Sequence, residues 1–396
     1  RGPMWRERPL LATVLRRWIV LNREVRQGKR KGGRIVQVNP VGQLCNRLVA
    51  ITSAFTFALM TGRALHIEDG GFYCQMSDLF MEPGFDWVSL GAAGLSGNTH
   101  HLQNPESGVW SEMEPLLCKD YTRHYKEPTV VFSINQYLVP WFATNPHHRE
   151  QLLSLFRPAN APPSIPLVKE EGDVFTPAAH FLFRPLDMIL QMRDKYVAQH
   201  FKGHYVVGLQ VRSGGDFTDN FMTEHDWGLY KRCGESATPK SSGASLKYFV
   251  ATDTPRGREA AVKFFGKENV MFGPGEFLLS NHPRGVQMAL LDLLLLAASD
   301  DRVTTAWSSY GYFAAGFSGV PANTVVDEVP KSKWVAPKGV EQRFMGVMHK
   351  SDRRRQCVRL PVHQPCFHKY ESWGASKATC SKWEWFEREM LGGRYC

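Results

Sequence analysis

Residues 34–67, RIVQVNPVGQLCNRLVAITSAFTFALMTGRALHI, hold the pattern on which the fold turns. Arg34 to Val38 is a short β-branched run, Pro40 to Asn46 a glycine-containing loop, Arg47 to Thr61 an apolar stretch of helical length, and Arg63 to Ile67 a second short strand. Strand, helix and strand in that order predict the start of a parallel sheet with helices on its faces. A second regular unit begins around His204. Tyr205 to Val211, Leu246 to Ala251, Val270 to Phe272 and Arg302 to Thr305 read as strands. Ala260 to Phe265, Gly285 to Ala298 and a segment opening near Ser308 to Gly311 read as helices. This alternation predicts a second doubly wound domain, with ligands in the crevice outside the strand C-termini. Between the two units, Thr129 to Leu138 is strand-like, Asn98 to Gly108 is a polar loop and Pro158 to Pro166 is a proline-rich connector.

A chain of 396 residues has room for two or three domains at roughly 150 residues each. Hydrophobic residues make up 43% and charged residues 22%, the ordinary globular mix, so collagen-like, coiled-coil and wholly disordered readings fall away. The expected division is a basic leader over 1–34, an α/β domain over 35–203, a second over 204–356 and a cysteine-rich tail over 357–396. No run of about 18 apolar residues occurs; Leu48 to Met60 carries Thr and Ser, and Met288 to Ala298 is interrupted by Asp292.

The net charge of +10 looks like a nucleic-acid footprint until it is located. Residues 1–34 hold eleven Lys or Arg against two Glu, leaving +1 for the rest of the chain. The body is therefore not a nucleic-acid binder. In the leader, Leu11, Leu15, Trp18, Asn22 and Val25 share one helical face, surrounded by Arg16, Arg17, Arg23 and Arg26. Such a helix fits a stem beside an anionic membrane surface or a solvated helix packed on the first domain equally well.

Of eight cysteines, Cys45, Cys74, Cys118 and Cys233 are scattered, whereas Cys357, Cys366, Cys380 and Cys396 crowd into the tail. No C-x-x-C pair is present, which disfavours a zinc ribbon. Disulfide stapling of the tail is expected, and with it an oxidising compartment.

Neither G-x-G-x-x-G after a strand nor G-x-x-x-x-G-K-S/T occurs, so dehydrogenase and P-loop readings lack their phosphate cradles. There is no D-x-D to bridge a diphosphate through a metal and no H-E-x-x-H. A bound diphosphate would have to be neutralised by side chains and backbone dipoles. Arg212 ends a predicted strand and precedes a Ser-Gly-Gly-Asp loop; its guanidinium could fork onto two phosphate oxygens or pair with Asp216 or Asp219. Thr252 and Asp253 end the neighbouring strand, placed to meet a base or ribose or to cap a turn. Trp307, Ser308, Ser309, Tyr310 and Gly311 follow a strand and open a helix, where free N–H groups favour a phosphate. Small residues there would let a ligand approach. Gly42, Asn46 and Arg47 form a third strand-to-helix junction, from the first domain, with donors offered to the cleft.

Gly42 to Thr61, GQLCNRLVAITSAFTFALMT, resembles the G-x-G-N-R helix of the plant xyloglucan-type α1,2-fucosyltransferases, with Cys45 where that family has its second glycine. The resemblance continues through Asn135 to Pro140, the strand VGLQVR ending at Arg212, Leu291 to Tyr312, and the tail segment Gln364 to His368. It implies a GT-B fold and a metal-independent, inverting transfer of L-fucose from GDP-fucose to a hydroxyl, O2 of a galactosyl residue, without a cofactor. Partners would be the GDP-sugar and a cell-wall or glycoprotein glycan, in the Golgi lumen, with the membrane reached through an upstream anchor or the basic stem; homodimerisation stays open. In that reading Gly42, Asn46, Arg47, Gln210, Arg212, Thr252, Asp253, Trp307, Ser308, Ser309, Tyr310 and Gly311 surround the donor, Asn135, Gln136 and Tyr137 the acceptor, and Arg212, Asn135 and Asp216 act in catalysis. Asn135 stands where the family carries an acidic residue, and an amide cannot take a proton. Asp216, Asp219, Glu224, His147 and His148 are the alternatives for the base. Competing readings are transfer from another nucleotide sugar, a non-catalytic glycan-binding protein of the same fold, and a polyanion-binding protein.

Overall fold

The computed structural model describes residues 4–68, 72–86, 98–103, 113–159, 173–212, 224–237, 243–275, 278, 281–305, 308–326, 356–360 and 363–365. In chain order the strands are β1 (Ile35–Val38), β2 (Ala64–Ile67), β3 (Phe80–Met81), β4 (Thr99–Gln103), β5 (Thr129–Ser133), β6 (Arg184–Pro185), β7 (His204–Val211), β8 (Ser245–Thr252), β9 (Val270–Met271), β10 (Asp301–Thr305), β11 (Asn323–Val326) and β12 (Gln356–Arg359). The helices are α1 (Pro9–Arg26), α2 (Leu44–Thr61), α3 (Met113–Cys118), α4 (Tyr121–His124), α5 (Val139–Thr144), α6 (Arg149–Phe156), α7 (Phe175–Leu182), α8 (Asp187–His200), α9 (Glu224–Ala237), α10 (Pro255–Phe265), α11 (Pro283–Ala298) and α12 (Ser309–Ser318).

Two sheets organise these elements, as the alternation predicts. The first runs β2-β1-β5-β4, all parallel. The second runs β12-β11-β10-β7-β8-β9, parallel except for β12. A small antiparallel pair joins β3 to β6. In each large sheet the helices return the chain, so the C-terminal strand ends share one edge.

Strand β4 departs from the polar loop expected over Asn98 to Gly108: Thr99 to Gln103 pair in register with Thr129 to Ser133. It is an edge strand that buries only Leu102, so the sequence THHLQ carries no apolar alternation to betray it. Conversely, β5 stops at Ser133 and not at Leu138. Beyond it the chain turns, and Ser53 Oγ on α2 donates to Gln136 O at 3.0 Å and accepts from Leu138 N at 2.9 Å.

Helix α2 is buried on every side except at Asn46. Among the described residues it is the one helix long and apolar enough to cross a membrane, yet it is spent as the core of the protein. Each fully buried aliphatic or aromatic side chain on it contributes roughly 1.5–3 kcal/mol.

The basic leader folds onto the first sheet. Leu11, Leu15, Trp18, Asn22 and Val25 are all buried, as their spacing predicts, and Arg26 joins them. The contact is specific because β2 is an edge strand with outward backbone groups to satisfy. Trp18 Nε1 donates to Arg63 O at 2.7 Å, Asn22 Oδ1 accepts from Leu65 N at 3.1 Å, and an Arg26 guanidinium nitrogen donates to Leu65 O at 2.9 Å. Side chains of α1 thus stand in for a missing strand. Of the two readings left open by the sequence, the packed helix describes the buried face; Arg16, Arg17 and Arg23 remain exposed.

The tail staple also has a definite geometry. Cys357 on β12 is disulfide-bonded to Cys233 on α9, across 124 residues of sequence, so the bond ties the tail to the second sheet. Cys118 is disulfide-bonded as well. Asp301 and Arg359 add a two-pronged ion pair at 2.7 and 2.9 Å on the same side.

One apolar core runs without a break from α1, α2 and the first sheet through α7, α8, α11 and α12 to one face of the second sheet. A separate core lies on that sheet's other face, under α9 and α10. Helix α12 is the seam. Two of its glycines have neighbours where a Cβ would lie: at Gly311 Thr304 Cβ at 2.7 Å and Gln210 Oε1 at 2.8 Å, at Gly316 the Phe175 ring at 2.4 Å.

Two stability predictions follow from this packing. Asn22→Ala leaves the Leu65 N–H buried without its acceptor and is expected to cost ~1–3 kcal/mol in urea denaturation; an unchanged midpoint would show that α1 does not seal the edge. Gly316→Ala is expected to cost ~1–3 kcal/mol by overpacking against Phe175, measured in the same way.

Candidate active site

The C-terminal edge of the second sheet is built first from β7 and β10. Gln210, next to last in β7, is buried; its Oε1 accepts from Thr305 N at 3.0 Å, and its carbonyl accepts from Thr305 Oγ1 at 3.0 Å. Arg212 follows, with its main-chain N–H on the same Thr305 hydroxyl at 2.9 Å and its side chain 40% exposed. Asp216 and Asp219, the two partners the sequence offered, lie outside the described residues; among the described ones the guanidinium Nε sits 3.2 Å from Asp253 Oδ2. Asp253 is therefore an orienting carboxylate. Because the contact uses Nε, the two terminal nitrogens keep the fork geometry that suits phosphate oxygens. The turn after β8 is capped by Thr254, whose Oγ1 accepts from Gly257 N at 3.1 Å, so neither Thr252 nor Asp253 is spent as a cap. Thr252 instead presses on Gly257, where a Cβ would lie 2.4 Å from its hydroxyl.

Helix α12 opens beside this arginine. Its N-cap, Ser308, makes no side-chain capping hydrogen bond, so the first-turn N–H groups present the positive end of the helix dipole without a protein oxygen from the cap. Gly311 was expected to make room for a ligand; the structure uses it to seat the helix on Thr304 and Gln210. Tyr310 donates its hydroxyl to Ala289 O, locking α12 to α11, and burial pushes its phenol pKa well up. Trp307 lies outside the described residues.

The start of α2 meets the start of α12. Cys45 and Tyr310, each the second residue of its helix, are close enough to interact electrostatically, and α2 likewise lacks a side-chain cap at Gln43. Two positive helix ends, α2 from the first half of the chain and α12 from the second, therefore lie near each other, and α12 opens shortly after Thr305, which holds the Arg212 main chain. Gly42 enables the tight turn into α2 with φ at +88°, a region open to glycine, and a Cβ there would lie 2.6 Å from the Asn46 amide. Arg47 differs from expectation. It is buried, its Nε donates to Gly42 O at 2.9 Å, and its guanidinium stacks 4.4 Å from the Phe72 ring centroid. It holds the turn, and Asn46 is half-buried with its amide against Gly42.

A residue that motif reading passed over completes the edge. Asp292 on α11 sits against the chain just beyond β9: a Cβ on Gly273 would lie 1.8 Å from Asp292 Oδ1. That oxygen is enclosed and has no hydrogen-bond partner among the described residues. Burial raises the carboxyl pKa to about 7, with the charge of Arg258 pulling the other way. The signal in the sequence was a lone acid interrupting the apolar run of Met288 to Ala298.

On the acceptor side, Asn135 and Gln136 follow β5 at the C-terminal edge of the first sheet and are largely buried. Tyr137 is 2% exposed and donates its hydroxyl to Gln364 Oε1 at 2.9 Å, so it faces the interior, away from any acceptor. His148 is also spent structurally. Its Nε2 accepts from Tyr121 N at 2.8 Å, its ring stacks on Tyr121, and burial lowers its pKa, with Gln151 and Asp120 opposing. This cluster leads into Thr129, at the far end of the first sheet from the cleft. His147 sits beside it in the exposed turn before α6. Glu224 opens α9.

No protein-family model matches the chain. It is 23% identical over 384 residues to Fucosyltransferase 2 of Arabidopsis thaliana, covering 82% of this chain and 64% of that protein. It is 24% identical over 387 residues to the galactoside 2-alpha-L-fucosyltransferase of A. thaliana and 22% over 386 residues to that of Pisum sativum, covering 82% of this chain both times and 61% and 60% of theirs. The chain thus spans roughly 60% of the length of the curated relatives it matches. Among solved structures, an A. thaliana FUT1 mutant in complex with GDP superposes with a TM-score of 0.64 at 19% identity, over 91% of this chain and 84% of that one. The likeness shows that the two parallel sheets have the GT-B arrangement. Over most of its length the chain is thus similar to plant fucosyltransferases, at 22–24% identity, and it shares their fold.

Proposed function

We propose that the protein is an inverting, metal-independent fucosyltransferase that moves L-fucose from GDP-fucose to a galactosyl hydroxyl of a glycan. The observation that supports this reading is Arg212 held by Asp253 and Thr305 at the strand end that leads into α12, whose uncapped start lies near that of α2. In the transfer, a bond forms between the acceptor oxygen and the anomeric carbon while the bond from that carbon to the diphosphate breaks; the electron pair leaves with GDP and the acceptor proton is released. Charge develops on the diphosphate, so fixed positive charge there stabilises the transition state more than the ground state. Arg212, oriented by Asp253, and the two helix ends supply it.

The base would lie toward β8 and β9, where Asp292 is the buried acceptor. Guanine presents two donors, N1–H and the 2-amino group, and a carboxylate can accept both. Asn135 would orient the acceptor hydroxyl as a donor or acceptor of hydrogen bonds. The disulfides at Cys118 and Cys233–Cys357 support an oxidising compartment, for which we propose the Golgi lumen, and exposed Arg16, Arg17 and Arg23 support contact with an anionic membrane surface.

The direct test is transfer and hydrolysis across a panel of nucleotide sugars. GDP-fucose is expected to be used in the presence of EDTA; preference for a UDP-sugar would overturn the donor assignment, and GDP binding without turnover would favour the glycan-binding alternative that Asn135 raises. Arg212→Ala is expected to lower turnover by about 10²–10³-fold, with an unchanged unfolding midpoint; wild-type turnover in that variant would remove Arg212 from the mechanism.

Asp292 adds a pH signature. Its folded-state pKa is raised, so the native protein binds this proton more tightly than the unfolded chain does, and stability is lost as pH rises from about 4, where the unfolded group ionises, to about 7. Above pH 7 Asp292→Asn is expected to be more stable than the wild type by on the order of a few kcal/mol. GDP affinity is expected to do the reverse, strengthening in the wild type as pH climbs through about 7 and becoming weak and pH-independent in Asp292→Asn. Calorimetric titrations showing pH-independent binding by the wild type would remove the carboxylate from the base pocket.

A further inference from the structure

Residues 356–360 lie on the second sheet, and residues 363–365 lie against α7 and the loop after β5. The first stretch begins as β12, paired antiparallel to β11 and held to α9 by the Cys233–Cys357 disulfide. Leu360 N continues the contact by donating to Ala322 O at 3.0 Å. His363 and Gln364 then insert, both buried, among residues that belong to the first sheet and α7. His363 Nε2 lies 3.0 Å from Asp173 Oδ2, and Asp173 Oδ1 accepts from Thr176 N at 3.0 Å. Burial raises the Asp173 carboxyl pKa, but the contacts with His363 and Thr176 outweigh it and hold the pKa below the usual range. Gln364 Oε1 takes the Tyr137 hydroxyl, whose ring packs edge-on against Phe175.

Tyr137 is two residues from Asn135. The loop around them is already held on one side, to the core helix through Ser53 Oγ, which bonds Gln136 O and Leu138 N, and to the turn before that helix through Val41 N, which donates to Ile134 O at 3.1 Å. Gln364 holds it from the other side, on a segment anchored to the sheet that carries Arg212. A rigid cross-link of this kind fixes the distance between a donor-side edge and an acceptor-side loop.

We propose that Gln364, through its hydrogen bond to Tyr137, is a positioning residue that sets where Asn135 stands relative to the donor site. This rests on the fucosyltransfer reading and extends it to the C-terminal segment. A bond that merely stabilised the tail would affect every activity in proportion to the loss of folded protein. A positioning bond acts on transfer to the acceptor and spares donor binding and donor hydrolysis, because water needs no orienting loop.

The test uses the full chain with GDP-fucose and an accepted galactoside. Gln364→Met leaves the Tyr137 hydroxyl buried without its acceptor, whereas Gln364→Met combined with Tyr137→Phe replaces both partners of this bond with apolar groups, so that neither is orphaned by its loss. In the double variant, the unfolding midpoint, the KM for GDP-fucose and GDP-fucose hydrolysis are expected to match the wild type, while kcat for transfer falls about tenfold, the scale of a sub-ångström misplacement. Wild-type transfer in a stably folded double variant overturns the proposal. So does a parallel fall in transfer and hydrolysis that tracks the unfolding midpoint. A wild-type chain that neither transfers nor hydrolyses GDP-fucose defeats the fucosyltransfer reading itself, and this inference with it.

Discussion

The placement of α12 depends on two missing β-carbons. Gly311 lets its first turn lie directly on Thr304 and Gln210 of the second sheet, and Gly316, a turn and a half later, lets the same helix meet Phe175 on α7. Thr176 Oγ1 donates to Gly316 O at 2.7 Å and adds a polar pin to that contact. Seated on one sheet at its start and on the other lobe's helix near its end, α12 fixes the direction of its own N-terminus and the meeting of that terminus with α2. The core that surrounds it is continuous from one sheet to the other. Cleft geometry is therefore a property of core packing here, and the interior's low tolerance for added volume protects it.

The architecture was legible wherever a strand or helix was buried on both sides, because such elements must be apolar. β1, α2, β7, β8 and α11 are of this kind, and each is found within about three residues of its expected position, the usual uncertainty at element ends. Legibility failed at the edges. β4 buries one residue in five and carries two histidines, so its backbone pairing left no trace in the side-chain pattern. α1 was legible as a helix, but nothing in its sequence distinguished a face that seals an edge strand from one that floats above a membrane. That distinction lies in Asn22 and Arg26, whose partners are main-chain atoms of Leu65, and main-chain partners cannot be read from composition.

At the site the limits are different. The strand-to-helix junctions were visible as motifs, and the structure brings Gly42, Arg212, Asp253 and Ser308 to the two C-terminal edges. The work of individual residues within those motifs was not visible. Gly311 seats its helix on Thr304 and Gln210, Arg47 holds the turn at Gly42, and Asp253, equally placed for base, ribose or cap, faces Arg212. Asp292 escaped because a single acid in an apolar helix forms no motif with its sequence neighbours; its partners Gly273 and Arg258 lie on other elements. What marks it is energetic. An enclosed carboxylate oxygen without a hydrogen bond destabilises the fold, and such a group is most readily understood as held for something that binds.

Asn135 fits the same chemical logic from the opposite direction. If most of the barrier is lowered by positive charge at the leaving diphosphate, the sugar departs with oxocarbenium character before the acceptor oxygen has formed much of its new bond. That oxygen becomes acidic only as the bond forms, so the proton can leave late and to a weak acceptor. An amide at the position of a carboxylate then sacrifices the assistance of a base, typically about 10²–10⁴-fold, but keeps the orientation of the attacking hydroxyl. Orientation is what the surrounding loop is built to hold, between Ser53 on the core helix and Gln364 on the C-terminal segment. In the proposed transfer the chain would therefore be a slow enzyme: anion stabilisation would stay with Arg212 and the two helix ends, and the contribution of the loop that carries Asn135 would be geometric.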